Sequence, residues 1–248
     1  MKNSGNTILV TGGGSGLGRE YARRWHDAGN TVIVAGRTLS SLAETAKGRE
    51  NIHPVEFDVA AAAGDVAAFA TGLCERFPGL NVVVNNAGIM PFENIEAKRD
   101  LGEAERVVET NLLGPIRLID AFVEQLKAAE NAALINVSSG LAFVPLPKAA
   151  TYSATKAALH SYTMSLRKRL EGLVEVIELI PPGVQTELTP GQSQRDGYLP
   201  LDDFIAESME LLAQKPTPSE ICVEAVRAFR NSEANGNQQE LLDMLAAR

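Results

Sequence analysis

A tyrosine and a lysine four residues apart, in the segment YSATK at 152–156, are well suited to acid–base chemistry. On a helix, this spacing places Tyr152 and Lys156 on one face, separated by about 6 Å along the axis. Two unit charges about 4 Å apart interact by roughly 4 kcal/mol at an effective dielectric constant of ~20. Such a lysine could lower the pKa of a phenol from ~10 toward ~7, where a general acid works well. The alternative is an ordinary pair on a solvated helix, so the rest of the chain must supply a substrate site and an electron carrier.

A glycine-rich loop, GGGSGLG at 12–18, follows the apolar run TILVT at 7–11 and precedes an amphipathic stretch. Between a buried strand and a helix, such glycines permit a tight turn, close approach of the backbone to a phosphate and close packing of the helix on the strand. The N–H groups and positive dipole end of the helix then face a pyrophosphate. A flexible loop of similar composition is the alternative. The residues expected to bind a dinucleotide here are Gly12, Ser15, Gly16, Leu17 and Gly18.

The end of the second apolar run, TVIVAG at 31–36, indicates which dinucleotide is bound. A carboxylate roughly 20 residues beyond the glycines usually binds the free 2′-hydroxyl of an adenosine ribose. This sequence has no Asp or Glu between Asp27 and Glu44, and Arg37 and Thr38 follow the run instead. Because a guanidinium can form two parallel hydrogen bonds with a phosphate, this position favours NADP(H).

Predicted strands and helices alternate along the sequence. Short, apolar, β-branched runs typical of buried parallel strands occur at 7–11, 31–36, 53–59, 81–86, 133–139 and 174–180. Helices are predicted at 16–28, 39–47, 62–77, 103–128, 152–170 and 237–248. This alternation predicts a single-domain, Rossmann-type, doubly wound parallel sheet of about seven strands with helices on both faces. The segment 219–230 could begin with a seventh strand or be helical, and we favour the strand.

Composition excludes several classes of function. A chain of 248 residues with 45% hydrophobic residues suits one α/β domain, and its formal charge of −8 argues against nucleic-acid or anionic-membrane partners. We interpret Cys74 and Cys222 as ordinary buried thiols, and His26, His53 and His160 as packing or surface residues, because none shows metal-ligand spacing. We expect no metal. The N-terminal apolar run is far shorter than a signal or membrane segment, so we expect a cytoplasmic protein.

Five motifs, in order, resemble the short-chain dehydrogenase/reductase family: TGGGSGLG, NNAG at 85–88, Asn111, Ser139 and YSATK. The glycine spacing is similar to that of the short, single-domain branch, because the extended branch would have a glycine where this chain has Ser15. The C-terminal part, with PPGVQTEL at 181–188 and EICVE, further resembles the DltE-like bacterial oxidoreductases.

The resemblance implies hydride transfer between NADP(H) and a small, apolar or moderately polar carbonyl or alcohol substrate. Tyr152 would exchange a proton with the substrate oxygen, and Ser139 would hydrogen-bond that oxygen, with Ser138 as the weaker candidate. Lys156 would bind the nicotinamide ribose and lower the pKa of the phenol, and Asn111 would hold a water that links Lys156 to solvent. Further implied cofactor contacts are Asp58, Val59, Asn86, Ala87, Gly88, Pro182, Gly183, Val184 and Thr186.

Apolar residues beside these motifs indicate a carbonyl pocket, although loop packing is an equal alternative for 90–92 and 143–147. The candidate lining residues are Met90, Pro91, Phe92, the segment 143–147, Leu188, Tyr198 and Phe204. The segment 185–215, interrupted by Gly191 and Gly197, is predicted to be a mobile lid.

In relatives, the helices corresponding to 103–128 and 152–170 pair across a two-fold axis, so the resemblance implies a homodimer or homotetramer. Apolar residues at helical spacing that fit this role are Leu112, Ile116, Ile119, Leu159, Tyr162 and Leu166. The main alternative function is a redox sensor that binds NADP without turnover, which should lack Ser139, Tyr152 or Lys156. A Rossmann-type methyltransferase and a purely structural protein explain these motifs less well.

Overall fold

The computed structural model describes residues 1–247, and Arg248, the last residue of the predicted C-terminal helix, lies outside the described residues. The strands are β1 (Thr7–Thr11), β2 (Thr31–Gly36), β3 (Ile52–Glu56), β4 (Leu80–Asn85), β5 (Ala133–Val137), β6 (Glu175–Leu179) and β7 (Glu220–Ile221). All neighbours pair in parallel, in the order β3-β2-β1-β4-β5-β6-β7. The predicted doubly wound, single-domain fold is therefore confirmed.

Helices cover both faces of this sheet. They are α1 (Gly16–Asp27), α2 (Leu39–Ala46), α3 (Ala63–Arg76), α4 (Gly102–Val108), α5 (Gly114–Ala128), α6 (Ala150–Arg169), α7 (Leu201–Leu212), α8 (Arg227–Arg230), α9 (Ser232–Asn235) and α10 (Gln238–Ala246). Within residues 1–247, no helix combines the length and the apolarity that crossing a membrane requires.

Strand side chains alternate between two cores, one on each face of the sheet. In β1, Val10 packs in the core that contains Trp25 of α1 and Phe204 of α7. Leu9 packs in the opposite core with Phe122 of α5. Because both faces are covered, the strands show continuous apolar runs rather than an alternating pattern.

The predicted helix over 103–128 is divided by a π-helical turn at Glu109–Leu113, between α4 and α5. The first residue of α5, Gly114, lies so close to the loop after β3 that an added Cβ would be 2.8 Å from the carbonyl oxygen of Val59. Hydrophobic spacing does not report a single wide turn of this kind, which occurs often at functional sites.

The predicted lid over 185–215 contains a packed helix in its second half. Phe204 of α7, which we expected to line the substrate pocket, is fully buried and packs edge-on against Tyr21 of α1. This expectation was wrong, because α7 uses its apolar face to cover the sheet. The favoured strand at 219–230 is present as the two-residue β7, which is followed by a 3₁₀ turn and α8.

Candidate active site

A cleft of about 410 Å³ lies at the carboxyl ends of the strands, where the strand order reverses between β1 and β4. Ligands of doubly wound sheets bind at this position, and the volume falls within the range of roughly 300–1,000 Å³ typical of small-molecule sites. The predicted cofactor-binding residues that line the cleft are Gly12, Ser15, Gly16, Leu17, Arg37, Thr38, Asp58, Val59, Asn86, Ala87, Gly88, Tyr152, Lys156, Pro182, Val184 and Thr186.

Three predicted site residues, Gly18, Gly183 and Asn111, are absent from the described lining of the cleft. An added Cβ at Gly18 would lie 2.4 Å from the carbonyl oxygen of Gly12, so Gly18 permits the close approach of α1 to the loop. Gly183 packs against the ring of Tyr198, and an added Cβ at Gly183 would lie 3.2 Å from the ring carbons. Gly18 and Gly183 therefore permit close packing of the segments that form the cleft, although they are absent from its described lining.

The glycine loop is tied to the end of β4 by Thr11, the last residue of β1. The hydroxyl of Thr11 accepts hydrogen bonds from the backbone N–H groups of Asn86 and Ala87, at 3.0 and 3.1 Å. Gly12 has a φ of +66°, and an added Cβ would lie 2.9 Å from the Cα of Ala87. A side chain at Gly12 would therefore be both conformationally strained and blocked by the neighbouring loop.

Arg37 and Thr38, which follow β2, are exposed and line the cleft. Among the described residues, Arg37 has no ion-pair partner, so its guanidinium is available to an anion. Asp58, which also lines the cleft, accepts a hydrogen bond from the backbone N–H of Ala60 at 3.0 Å.

Tyr152 lies in the first turn of α6 and is 6% exposed. The hydroxyl of Ser139, the residue that precedes a short 3₁₀ turn, accepts a hydrogen bond from the backbone N–H of Leu141 at 3.1 Å. Burial raises the pKa of Tyr152 to about 12, and a side-chain hydrogen bond with Ser139 acts in the opposite direction. The hydroxyl of Ser138 is buried, lines the cleft region and has no partner among residues 1–247.

Lys156 follows Tyr152 by one helical turn and is 4% exposed. Its Nζ donates a hydrogen bond to the carbonyl oxygen of Val137 at 2.7 Å and lies 5.6 Å from the centre of the Tyr152 ring. Burial lowers the pKa of Lys156 to about 8, while the charge of Glu178 raises it.

These pKa directions correct the sequence-based account of the tyrosine–lysine pair. We expected Lys156 to lower the pKa of the phenol, but desolvation dominates in the chain alone and raises it. The spacing of the two residues does place them on one helix face. It does not reveal that both side chains are buried, or that Lys156 binds the carbonyl oxygen of Val137.

Asn111 lies on the π-helical turn and is fully buried. Its side-chain oxygen accepts a hydrogen bond from the N–H of Ile89 and its amide donates to the carbonyl of the same residue, both at 2.9 Å. An added Cβ at the adjacent Gly88 would lie 3.7 Å from the Nζ of Lys156. Asn111 therefore fixes the loop after β4 next to Lys156.

Most of the residues expected to form an apolar pocket lie outside the described lining of the cleft. Leu188 lines the cleft, whereas Val144 and Leu146, within the segment 143–147, are buried in a cluster that also contains the Tyr152 ring. Phe92 packs under the charged ends of Lys148 and Arg195, at 4.8 and 5.6 Å. Lining residues that sequence analysis did not assign to the site include Leu42, Phe57, Ile89, Thr110, Pro181, Glu187 and Gln192. Of these, only Pro181 and Glu187 lie within a quoted motif, PPGVQTEL at 181–188.

His160 is not an ordinary packing or surface residue, in contrast to our expectation. Its Nδ1 lies 2.8 Å from a carboxylate oxygen of the fully buried Glu178, and candidate ligand atoms of His160, Glu178 and Glu220 all lie within 4.8 Å of one another. Glu220, however, already accepts two hydrogen bonds from Arg230, at 2.7 and 3.0 Å. The cluster is therefore a network of ion pairs and hydrogen bonds.

Comparisons with known proteins agree with this architecture. The family model described as short chain dehydrogenase matches residues 6–197. The chain is 41% identical over 201 residues to the uncharacterized oxidoreductase DltE of Bacillus subtilis, with 79% of each chain covered. A short-chain dehydrogenase from Burkholderia cenocepacia, in complex with NADP, has a TM-score of 0.82 and 26% identity, with 99% of both chains covered.

A second solved structure, an alcohol dehydrogenase from the archaeon Thermococcus sibiricus complexed with 5-hydroxy-NADP, has a TM-score of 0.75. It is 27% identical, and the match covers 88% of this chain and 94% of that one. The family model, the identity with a bacterial oxidoreductase and the shared fold lead to one conclusion: this chain belongs to the short-chain dehydrogenase family.

Proposed function

We propose that this protein is an NADP(H)-dependent oxidoreductase that transfers a hydride between the nicotinamide and a carbonyl or alcohol substrate, with Tyr152 as general acid and base. One observation carries the proposal. Ser139, Tyr152 and Lys156 line the same cleft as the glycine loop and Arg37, so a proton donor and a dinucleotide site share one cavity. The NADP and 5-hydroxy-NADP complexes of two similar proteins support the choice of cofactor.

The residues present fit such a cofactor. Gly12 and Gly16 have positive φ values and no side chains, which leaves backbone N–H groups at the start of α1 for a pyrophosphate. Arg37 and Thr38 would bind the 2′-phosphate, and Asp58 and Val59 would contact the adenine. Lys156 would bind the nicotinamide ribose, and the residues after β6 would contact the nicotinamide end. A bound NADP(H) would supply or accept the hydride.

In the reductive direction, the hydroxyl of Tyr152 would donate its proton to the substrate oxygen. The raised pKa keeps this phenol protonated at neutral pH, so the proton is present, but it also makes the phenol a weaker acid than one whose pKa lies near the operating pH. The hydroxyl of Ser139 would hold the same oxygen, since it already interacts with Tyr152. In the oxidative direction, Tyr152 must start ionised, which requires a positive charge nearby.

The experiment is an activity screen. Purified protein is mixed with NADPH and a panel of aldehydes, ketones and quinones, and oxidation of NADPH is followed by absorbance. We expect turnover of small, apolar or moderately polar carbonyl compounds. NADPH binding without turnover of any panel member, and without oxidation of the matching alcohols by NADP, would contradict the proposal and favour the redox sensor.

We further propose that the protein is a homodimer or homotetramer, paired through the helical region 103–128, which contains the π-helical turn and α5, and through α6. Ile119 and Leu159, which we assigned to this contact, are instead buried in the protomer, and Ile119 packs in the core that contains Leu9 and Phe122. The other predicted contact residues, Leu112, Ile116, Tyr162 and Leu166, are partly exposed. Met164 of α6 is 53% exposed and adds to this face. The cytoplasmic location stays a prediction from the sequence.

A further inference from the structure

A buried carboxylate lies beneath the helix that carries Tyr152 and Lys156. Glu178 of β6 is completely excluded from solvent, and it is paired in register with Asn136 of β5. Asn136 donates a hydrogen bond to Thr163 of α6, at 2.9 Å, so this face of the sheet is directed toward α6. The charge of Glu178 therefore lies in the layer between the sheet and α6.

His160, one helical turn beyond Lys156, is the direct partner of Glu178. Its Nδ1 lies 2.8 and 3.0 Å from the two carboxylate oxygens. The imidazole also contacts the ring of Phe143 edge-on, with 4.8 Å between ring centres. The contact between His160 and Glu178 fixes the position of the Glu178 carboxylate relative to α6.

The arrangement is costly for stability alone. Glu178 pairs in register with Glu220 of the parallel strand β7, so two carboxylates lie on neighbouring strands of this face. Burial of a carboxylate carries a desolvation penalty that hydrogen bonds only partly offset, and apolar residues of similar volume are often at least as stable. A role other than packing is therefore reasonable for Glu178.

Lys156 and Glu178 share this layer. The Nζ of Lys156 binds the carbonyl of Val137, which follows Asn136, the residue paired with Glu178, and His160, one turn along α6, contacts the Glu178 carboxylate. The ammonium of Lys156 is almost fully buried, and its hydrogen bond goes to the neutral carbonyl of Val137. Burial alone lowers the pKa of Lys156, and Glu178 is the group whose charge opposes this effect. The titratable and charged groups around the two residues are Tyr152, His160 and Arg167 of α6, Glu220 of β7, Cys222 and Arg230.

We propose that Glu178, held by His160, is a positioning residue that supplies the counter-charge for the buried ammonium of Lys156. It keeps this lysine charged at neutral pH, and thereby keeps a charged contact available for the cofactor ribose. This inference rests on the proposed function, because it uses the cofactor contact of Lys156. Arg167 and Arg230 bind other partners, the backbone oxygens of Val176 and Ser219 and the carboxylate of Glu220.

The test follows NADPH affinity with pH, by fluorescence titration of the intact protein from about pH 6 to about pH 10. In the unchanged protein, affinity should weaken as pH rises through the pKa of Lys156, about 8. Glu178→Gln keeps the shape of the side chain and removes its charge. The midpoint of the pH-dependent loss of NADPH affinity should therefore fall by about one pH unit. Above its midpoint, each protein should bind NADPH about five- to tenfold more weakly, the difference between a charged and a neutral donor.

Two control variants separate charge from structure. Glu220→Gln removes a carboxylate one strand farther from Lys156, and His160→Gln keeps a hydrogen-bond donor for Glu178. Both should leave the midpoint within about 0.3 pH units of the unchanged protein, well below the shift of about one unit expected for loss of the counter-charge. Glu178→Asn provides a second charge-neutral variant if Glu178→Gln does not fold.

An unchanged midpoint in a folded, charge-neutral variant would overturn the inference, even if the unfolding temperature fell, because Glu178 would then be merely structural. NADPH binding without any pH dependence in the unchanged protein would also overturn it. Failure to bind NADPH at any pH would instead refute the proposed function itself.

Discussion

Replacing Tyr152 by phenylalanine removes one hydroxyl and keeps the ring. The ring packs in a buried cluster with Val107, Val144 and Leu146, and this packing should survive. The lost hydrogen bond with Ser139 should cost about 1 kcal/mol in the free energy of unfolding. General acid–base catalysis contributes about 10²–10⁴-fold, so carbonyl reduction should fall by that factor, with little change in NADPH affinity.

The assay measures kcat and KM for a substrate found in the activity screen, together with the dissociation constant of NADPH. Tyr162→Phe is the matched control, because it makes the same change on the same helix, outside the described lining of the cleft. Tyr162→Phe should retain nearly full activity. If Tyr152→Phe also retained it, the phenol would not be the proton donor and the proposed mechanism would be wrong.

Other expected results concern the cofactor, the fold and the assembly. Arg37→Ala should weaken NADPH binding by at least about tenfold, because a charge-assisted hydrogen bond contributes about 1.5–3 kcal/mol. It should leave NADH binding nearly unchanged. Equal affinities of the unchanged protein for NADPH and NADH would contradict the role of Arg37. Gly18→Ala should destabilise the fold by about 1–3 kcal/mol in denaturant unfolding, because its Cβ would meet the carbonyl of Gly12 at 2.4 Å. In α3, an added Cβ at Gly72 would have no neighbouring atom within 4 Å, so Gly72→Ala should instead stabilise the fold by about 0.5–1 kcal/mol. A loss of stability in Gly72→Ala would refute the explanation by close packing at Gly18. Light scattering should give a mass above that of the 26.5 kDa protomer, and Met164→Glu should shift it toward the protomer; a 26.5 kDa particle for the unchanged protein at micromolar concentration would refute the assembly.

The strands could be predicted from the sequence because a strand that is buried on both faces is a continuous run of apolar residues. The apolar runs that form β1 and β2 have the predicted limits, 7–11 and 31–36. The π-helical turn at Glu109–Leu113 left no comparable pattern, because it changes the backbone spacing by a single residue within a continuous helix pattern. Phe204 was misplaced because an apolar residue in a polar segment fits a pocket wall and a core helix equally well.

The site was predictable where its residues are close in sequence, and less so where contacts are made by the fold. The glycine loop and the YSATK segment each carry their own spacing, so their positions at one cleft followed from the order of the strands. Glu178 and His160 are 18 residues apart and meet only because α6 lies against β6. Glu220 joins them through the β6–β7 pairing. Neither contact has a local signal in the sequence.

Burial shifts the pKa values of Tyr152 and Lys156 in opposite directions. Desolvation disfavours the charged form of each group, so it raises the pKa of Tyr152 to about 12 and lowers that of Lys156 to about 8. In the chain alone the phenol is therefore neutral at neutral pH, so it carries the proton that carbonyl reduction needs, but its raised pKa makes it a weak acid. Proton abstraction from an alcohol requires the phenolate, and a protonated Lys156 favours that form. Because Glu178 raises the pKa of Lys156, its charge acts through the lysine on the same proton, and loss of this carboxylate should impair alcohol oxidation more than carbonyl reduction.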